Sequence, residues 1–379
     1  MHKFITASLG LLLTATAFSQ FAVGYMSYTF TDPNRNNRQI GCEIFYPSTV
    51  AGESAPAADG TFPVIVFGHG FVMGYDAYEN LWNDFVPEGY IMAFATTEGG
   101  LAPSHENFGL DLRFIVNNIN LLHEQQSSVL FGHVAPERAI AGHSMGGGAT
   151  WLAASGSSSV NCIVGLAPAE TNPSAVAAAA SVTAPALVLS GSADAVTPPA
   201  QHHSPIYAGT ASNCKSFVNI IEGSHCYFAN SGSLCDFGEF NPGSMSRETQ
   251  QSIANSYMMP FFEYYLKGVE AALEEFITVI NSSPETEFTS TCLFVGQSEI
   301  QSGDWTIYPN PFRDSFVISG NDADAPELKL VHASGALVPF RIEHLDSRRM
   351  RIIPEQVIAG MYFLYSSDAT EPVILMCGQ

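Results

Sequence analysis

Gly142-His143-Ser144-Met145-Gly146 is the stretch on which the reading of this chain turns. By itself a G-x-S-x-G is weak, since a chain this long shows one by chance roughly one time in five. Its surroundings make it informative. The β-type run Arg138 to Ala141 precedes it, and a helical pattern rich in Ala and Gly follows. A serine on a sharp strand-to-helix turn is forced outward, above the sheet. Glycines flank it because side chains there would collide across the turn. Gly147 and Gly148 extend the small-residue surface, so the helix can pack close to the sheet. A Gly-rich helix start with an ordinary surface serine is the bland alternative, and the strand–turn–helix context argues against it.

Working outward, further buried-strand patterns flank this motif. Phe62 to Phe67, Tyr90 to Ala95, Cys162 to Ala167, Ala186 to Leu189 and Phe217 to Ile221 are short apolar runs. Continuous runs, rather than alternating ones, suit strands covered on both faces. Helical patterns lie between them. Phe108, Leu112, Ile115, Ile119 and Leu122 share one face at spacings of three and four. Met245 to Lys267 reads as a long helix interrupted near Pro260. Strand and helix in alternation imply an α/β domain with a mainly parallel sheet. Near residue 296 the pattern changes. Gly296 to Asp304 is polar and linker-like, and short β segments follow: Phe316–Ile318, Leu328–Val331, Met350–Ile353 and Met361–Leu364. These predict a small β-sandwich.

The 379 residues are 46% hydrophobic and 13% charged, enough apolar material for a sizeable core. The net charge of −22 would repel phosphate backbones and anionic membrane surfaces, which excludes a nucleic-acid binder. A solvated surface accounts for the acidity, without a cationic partner. Met1-His2-Lys3, the apolar run Phe4 to Phe18 and the small residue Ser19 fit a secretory signal peptide over residues 1–19. That run is too short for a stable spanning helix, and no other stretch reaches spanning length. A secreted, water-soluble monomer is expected. Export permits disulfides, and seven cysteines leave at least one unpaired. Spacing alone does not give the connectivity. No Cys–His cluster has zinc-like spacing, and the adjacent His202 and His203 diverge on a helix, so no metal and no cofactor is expected.

Serine needs a base, and the base needs an orienting acid. In the α/β-hydrolase arrangement the chain order is serine, acid, histidine. Asp194 lies just past the fifth predicted strand and His225 just past the sixth. Both are at carboxyl ends, where sites in open α/β sheets gather. Asp194 could instead be a turn former, and His225 a loop histidine. Order and placement favour the triad Ser144, Asp194 and His225. Asp111 sits in mid-helix, Asp236 follows the histidine, and His202 and His203 follow no strand. Glu170 is the runner-up acid. An oxyanion hole needs two backbone N–H groups. Met145 and Phe71, in Phe67-Gly68-His69-Gly70-Phe71, are the candidates. His69 is read as loop packing.

These residues resemble those of bacterial cutinases and poly(ethylene terephthalate) hydrolases. The likeness runs from Gly142–Gly148 through Ala167-Pro168, Asp194–Pro198, Pro205-Ile206-Tyr207 and Gly223-Ser224-His225 to Ala229–Gly232, within roughly residues 40–295. It implies an α/β-hydrolase that cleaves esters through an acyl-enzyme. Ser144 would be the nucleophile, Asp194 the acid, His225 the base, and Phe71 and Met145 the oxyanion donors. Phe71, Asn172 and Val196 would touch substrate. The family commonly has Trp where Asn172 stands. Its enzymes with an extra disulfide have Cys where Gly191 stands, so Cys226 needs another partner, and the nearby Cys235 would brace the loop carrying His225. Chlorophyllases and platelet-activating-factor acetylhydrolases share the architecture, so a general esterase without polyester activity is the alternative.

The C-terminal part resembles a sorting domain of the type IX secretion pathway. Ile307-Tyr308-Pro309-Asn310-Pro311-Phe312, Asp314, Gly335 and Gly360–Leu364 follow that pattern, without its usual basic tail. The resemblance implies the type IX secretion machinery as a partner. The expected division is a signal peptide at 1–19, a catalytic domain at 20–300 and a sorting domain at 301–379.

Overall fold

A computed structural model describes residues 21–292 except 233. Of the C-terminal part it describes 300–302, 305–308, 312, 314–320, 328–332, 334–345, 349–358, 360–366 and 373–377. The signal segment 1–19 lies outside the described residues, as do most of the linker 296–304 and Pro309-Asn310-Pro311.

The main sheet has the order β10-β9-β8-β7-β6-β4-β5-β2-β1-β3. Its strands are β1 (Ala22–Asp32), β2 (Arg38–Ser48), β3 (Gly52–Glu53), β4 (Phe62–Gly68), β5 (Ile91–Ala95), β6 (Val134–His143), β7 (Cys162–Leu166), β8 (Ala186–Gly191), β9 (Lys215–Ile220) and β10 (Thr286–Ser290). The strands from β5 through β9 pair in parallel. The β1–β2 pair, the β2–β5 pair and the β9–β10 pair are antiparallel. All six predicted strands are present. The hairpin of β1 and β2 was not predicted, because buried and exposed residues alternate along β1, next to the short outermost strand β3.

The central strands are buried on both faces, which explains their continuous apolar runs. In β4, Val64 and Val66 enter one core with Phe108, Leu112 and Ile115 of α2 (His105–Asn118) and Trp151 of α4 (Met145–Ala154). Ile65 and Phe67 enter the other, with Phe85 of α1 (Glu79–Phe85) and Tyr257, Phe261 and Phe262 of α7 (Arg247–Lys267). Each large side chain so buried contributes about 2 kcal/mol. Ser104 and Ser246 cap α2 and α7, each side chain accepting from a backbone N–H three residues on.

Two helix readings are corrected. The apolar face from Phe108 to Leu122 spans two helices, α2 and α3 (Asn120–Glu124), with Ile119 at the joint. The long helix does not break at Pro260. Proline removes only one N–H, and Pro260 is buried beside Tyr257, Phe261 and Phe262, so packing carries α7 through it.

The shorter helices are α5 (Ala175–Ala179), α6 (His203–Gly209) and α8 (Glu270–Ser282). A disulfide between Cys214 and Cys292 ties the start of β9 to the chain leaving β10. Cys42 and Cys162 are buried thiols, and burial pushes their ionisation up. No described helix is long and apolar enough to cross a membrane.

The C-terminal part forms two antiparallel sheets among the described residues. One is ordered β11-β12-β13-β16-β15, from Ile300–Ser302, Trp305–Tyr308, Phe316–Gly320, Arg349–Pro354 and Phe340–His344 respectively. The other is β14-β17-β18, from Leu328–His332, Gly360–Ser366 and Val373–Cys377. Ile307, Phe316, Leu330, Ile352 and Leu364 pack into one core shared by both sheets. The chain thus has the expected α/β-hydrolase sheet followed by a small β-sandwich.

Asp111, fully buried in α2, pairs with Arg35 at 2.7 Å and Arg38 at 2.7 Å and accepts from Thr97 Oγ1 at 2.7 Å. Two cations facing one buried carboxylate make it a structural anchor between α2 and the β1–β2 turn. Asp111→Ala is expected to cost about 3 kcal/mol, the low end for a broken buried pair because Arg35 keeps Asp32 and Arg38 keeps Glu98. Urea unfolding measures it; an unchanged midpoint would contradict the anchor.

Candidate active site

Ser144 stands between β6, which ends at His143, and α4, which begins at Met145, with φ 56° and ψ −119°. A positive φ at a non-glycine residue is strained, and the close packing around it holds it there. A Cβ at Gly146 would strike the carbonyls of Gly68 and His69. One at Gly142 would strike the backbone of Gly146 and Gly147. The glycines of the motif therefore let the turn lie directly on the loop after β4. α4 is buried almost throughout, and Gly147 and Gly148 leave no room for side chains against Pro168, Ala169 and Thr171.

Three predicted side chains meet at this turn. His225 Nε2 lies 2.9 Å from Ser144 Oγ, and His225 Nδ1 lies 2.7 Å from Asp194 Oδ2. Since the carboxylate only accepts, Nδ1 carries the proton and Nε2 accepts from the serine hydroxyl. Asp194 is also a turn former. Its Oδ1 accepts from Val196 N at 2.9 Å and Thr197 N at 2.7 Å. Burial alone would push the Asp194 carboxyl up. The hydrogen bond and charge of His225, with the Thr197 N–H, outweigh it and hold the group below its usual value. Such a line can draw the proton from Oγ and stabilise the resulting imidazolium.

The loop carrying His225 is buried, so its backbone groups need partners. Gln250 accepts from Ser224 N at 2.7 Å and donates to Ser224 O at 2.7 Å. Glu239 accepts from His225 N at 2.5 Å and Cys226 N at 2.9 Å. Arg247 donates to Cys226 O and Ala229 O at 2.6 Å each and pairs with Asp236. The Cys226–Cys235 disulfide closes the same loop, as the resemblance implied. Burial pushes the Glu239 carboxyl up despite its two N–H donors.

His143, the second residue of the motif, is buried behind His225. Tyr78 Oη donates to its Nδ1 at 2.9 Å, and its Nε2 donates to His225 O at 3.0 Å. Gly70 N donates to Tyr78 Oη at 2.8 Å, so one chain of hydrogen bonds links the loop after β4 to the loop of His225. Burial and the neighbouring His225 hold the His143 imidazole well below its usual value, which keeps it neutral.

The remaining candidates are placed as follows. Met145 opens α4 beside Ser144, and Phe71 lies in the turn after β4, 50% exposed. Val196 is exposed two residues past Asp194. Asn172 is exposed in the loop after β7, where its N–H donates to His105 Nδ1. His69 packs against Phe108 with both ring nitrogens facing backbone carbonyls. Glu170, the runner-up acid, accepts from Val176 N, while its own N–H donates to His202 Nδ1. Tyr78, Glu239 and Thr197 were missed, and His203 was set aside for following no strand. Only Thr197 had a local signal, its place three residues after a turn-forming aspartate.

Exposed apolar side chains gather on the loops that follow the parallel strands. Phe71 follows β4, Leu101 follows β5, Val196 follows β8, and Leu234, Phe237 and Phe240 follow β9. Parallel strands put these loops at the same edge of the sheet as Ser144. A cleft of about 290 Å³ there is lined by Val72, Met73, Asp76, Asn230, Ser231 and Leu234, among others. No group of three or more His, Cys, Asp or Glu that could hold a metal ion occurs among the described residues.

Glu239→Ala is expected to cost about 3 kcal/mol, since it strands two buried N–H donors of a charged acceptor. A melting temperature equal to that of the parent chain would contradict this role.

Residues 15–248 match the family described as PETase, PET hydrolase-like. No curated protein matches the chain.

Proposed function

The chain belongs to the PET hydrolase-like family, whose activity is ester hydrolysis, and on that premise we propose that it is a secreted serine carboxylester hydrolase acting on polyesters. The observation that carries the reading is the unbroken line from Ser144 Oγ through His225 to Asp194, at 2.9 and 2.7 Å. Ser144 attacks the ester carbonyl while His225 Nε2 takes its proton. The oxyanion lies between the N–H groups of Met145 and Phe71. Collapse expels the alcohol, which takes the proton from His225, and leaves Ser144 acylated. Water, deprotonated by His225, then attacks the acyl carbon and releases the acid and free Ser144. Asp194 holds the imidazole and stabilises its charged form.

The polymer is favoured as substrate by the apolar loop edge. Phe71, Val196, Phe237 and Phe240 offer a neutral polyester an apolar landing surface, although exposed Asn172 stands where the family commonly has Trp. Two disulfides agree with an oxidising destination. Residues 1–19 are proposed as the export signal, 20–300 as the catalytic domain, and 301–379 as the sorting domain read by the type IX machinery.

Two outcomes test the reading. Ser144→Ala is expected to lower turnover of a soluble short-chain ester on the order of a million-fold, and Asp194→Asn about 10⁴-fold. Retained turnover in Ser144→Ala would sink the nucleophile. Separately, the chain lacking residues 1–19 is expected to release soluble aromatic acids from an amorphous polyester film above the Ser144→Ala control. No release, with the soluble ester still cleaved, would leave a general esterase.

A further inference from the structure

The geometry points to Thr197 and His203 as positioning residues that extend the Ser144–His225–Asp194 line by two side chains behind the acid. The inference rests on the reading of Asp194 as the acid of the proposed ester hydrolysis.

His203 opens α6 and is fully buried, yet both ring nitrogens have side-chain partners. Its Nδ1 lies 2.8 Å from Ser190 Oγ, and its Nε2 lies 3.0 Å from Thr197 Oγ1 and 3.6 Å from Asp194 Oδ2. Thr197 Oγ1 lies in turn 3.0 Å from Asp194 Oδ2 and 2.9 Å from His225 Nδ1. One hydroxyl thus touches acid, base and a second imidazole.

Counting protons decides their directions. A hydroxyl has one proton and two lone pairs, and a carboxylate only accepts. The His225 Nδ1 proton points to Oδ2 and is shared with Oγ1. The Thr197 proton then points to Asp194 Oδ2, and Oγ1 accepts from His203 Nε2–H. His203 Nδ1 accepts from the Ser190 hydroxyl. All donations run one way, from Ser190 to His203 to Thr197 to Asp194. The other His203 tautomer would take the Thr197 proton and leave a bare oxygen 3.0 Å from the carboxylate, which is repulsive.

Burial pushes the His203 imidazole down to about 3, so it stays neutral and does not compete with His225 as the cation facing Asp194. The carboxylate therefore accepts from Val196 N, Thr197 N, Thr197 Oγ1 and His225 Nδ1. Four donors fix its plane, and Oδ2 stays in line as the proton passes from Ser144 to His225. A looser carboxylate would bind substrate equally well but stabilise the transition state less.

The test is steady-state turnover of a soluble ester with a melting curve for each variant. Thr197→Val keeps the shape and removes the hydroxyl. It is expected to lower kcat about 10- to 100-fold, the worth of one hydrogen bond to a charged group, with KM unchanged. Thr197→Ser is expected to recover most of that loss, and a folded His203→Gln to keep more activity than His203→Leu. A folded Thr197→Val with parental kcat, or a Thr197→Ser as impaired as Thr197→Val, would overturn the inference. If the His203 variants fail to fold, the Thr197 pair decides alone. Asp194→Asn separates the two levels. Parental turnover there would overturn the reading of the acid itself, whereas its collapse beside an unaffected Thr197→Val would overturn only the role of Thr197 and His203.

Discussion

Everything at the site depends on one close approach, the backbone of Gly146 against the carbonyls of Gly68 and His69. It lets β6 turn into α4 in the space of one residue, with Ser144 at φ 56°. The same contact sets the loop after β4 beside the serine, where Phe71 and Met145 are proposed to receive the oxyanion. A methyl group at Gly146 would separate these parts together. Burial of α4 on nearly all sides, with Trp151 donating to Thr210 Oγ1, keeps the strained turn from relaxing.

A second constraint follows from placing polar chemistry under apolar loops. His225, Asp194, His143 and His203 are all buried, and each ring nitrogen and carboxylate oxygen among them has a hydrogen-bond partner. Gln250, Glu239 and Arg247 satisfy the backbone of the histidine loop, and the Cys226–Cys235 bond closes it. Tyr78 and His143 tie that loop to the one after β4. The site is therefore held by side chains from α7 and from the loops after β4 and β9, and its rigidity does not rest on the sheet alone.

Much of this was legible in the sequence, for identifiable reasons. The central strands β4, β5, β7 and β8 are buried on both faces, so their runs are continuous and stand out, while β9 was caught by the shorter apolar run Phe217–Val218 followed by Ile220. The grouping of Ser144, His225 and Asp194 was legible from chain order and from the carboxyl ends of strands. The hairpin β1–β2 escaped because its exposed face breaks up the apolar run. Pro260 misled because helix propensity is local, whereas the packing that carries α7 through it is tertiary. His203 was set aside for lacking a preceding strand, yet α6 turns it back under Asp194. Glu239 reaches His225 only because the intervening loop folds over. Such partners are fixed by three-dimensional contact and leave no periodic trace.

The proposed hydrolysis stands or falls with Ser144 as a nucleophile activated by His225. The most direct measurement is labelling with a serine-directed fluorophosphonate, followed by peptide mass mapping. One adduct per chain is expected, on Ser144, absent from Ser144→Ala and strongly slowed in His225→Ala. An adduct on another residue, or labelling of Ser144 at the parental rate in His225→Ala, would contradict it.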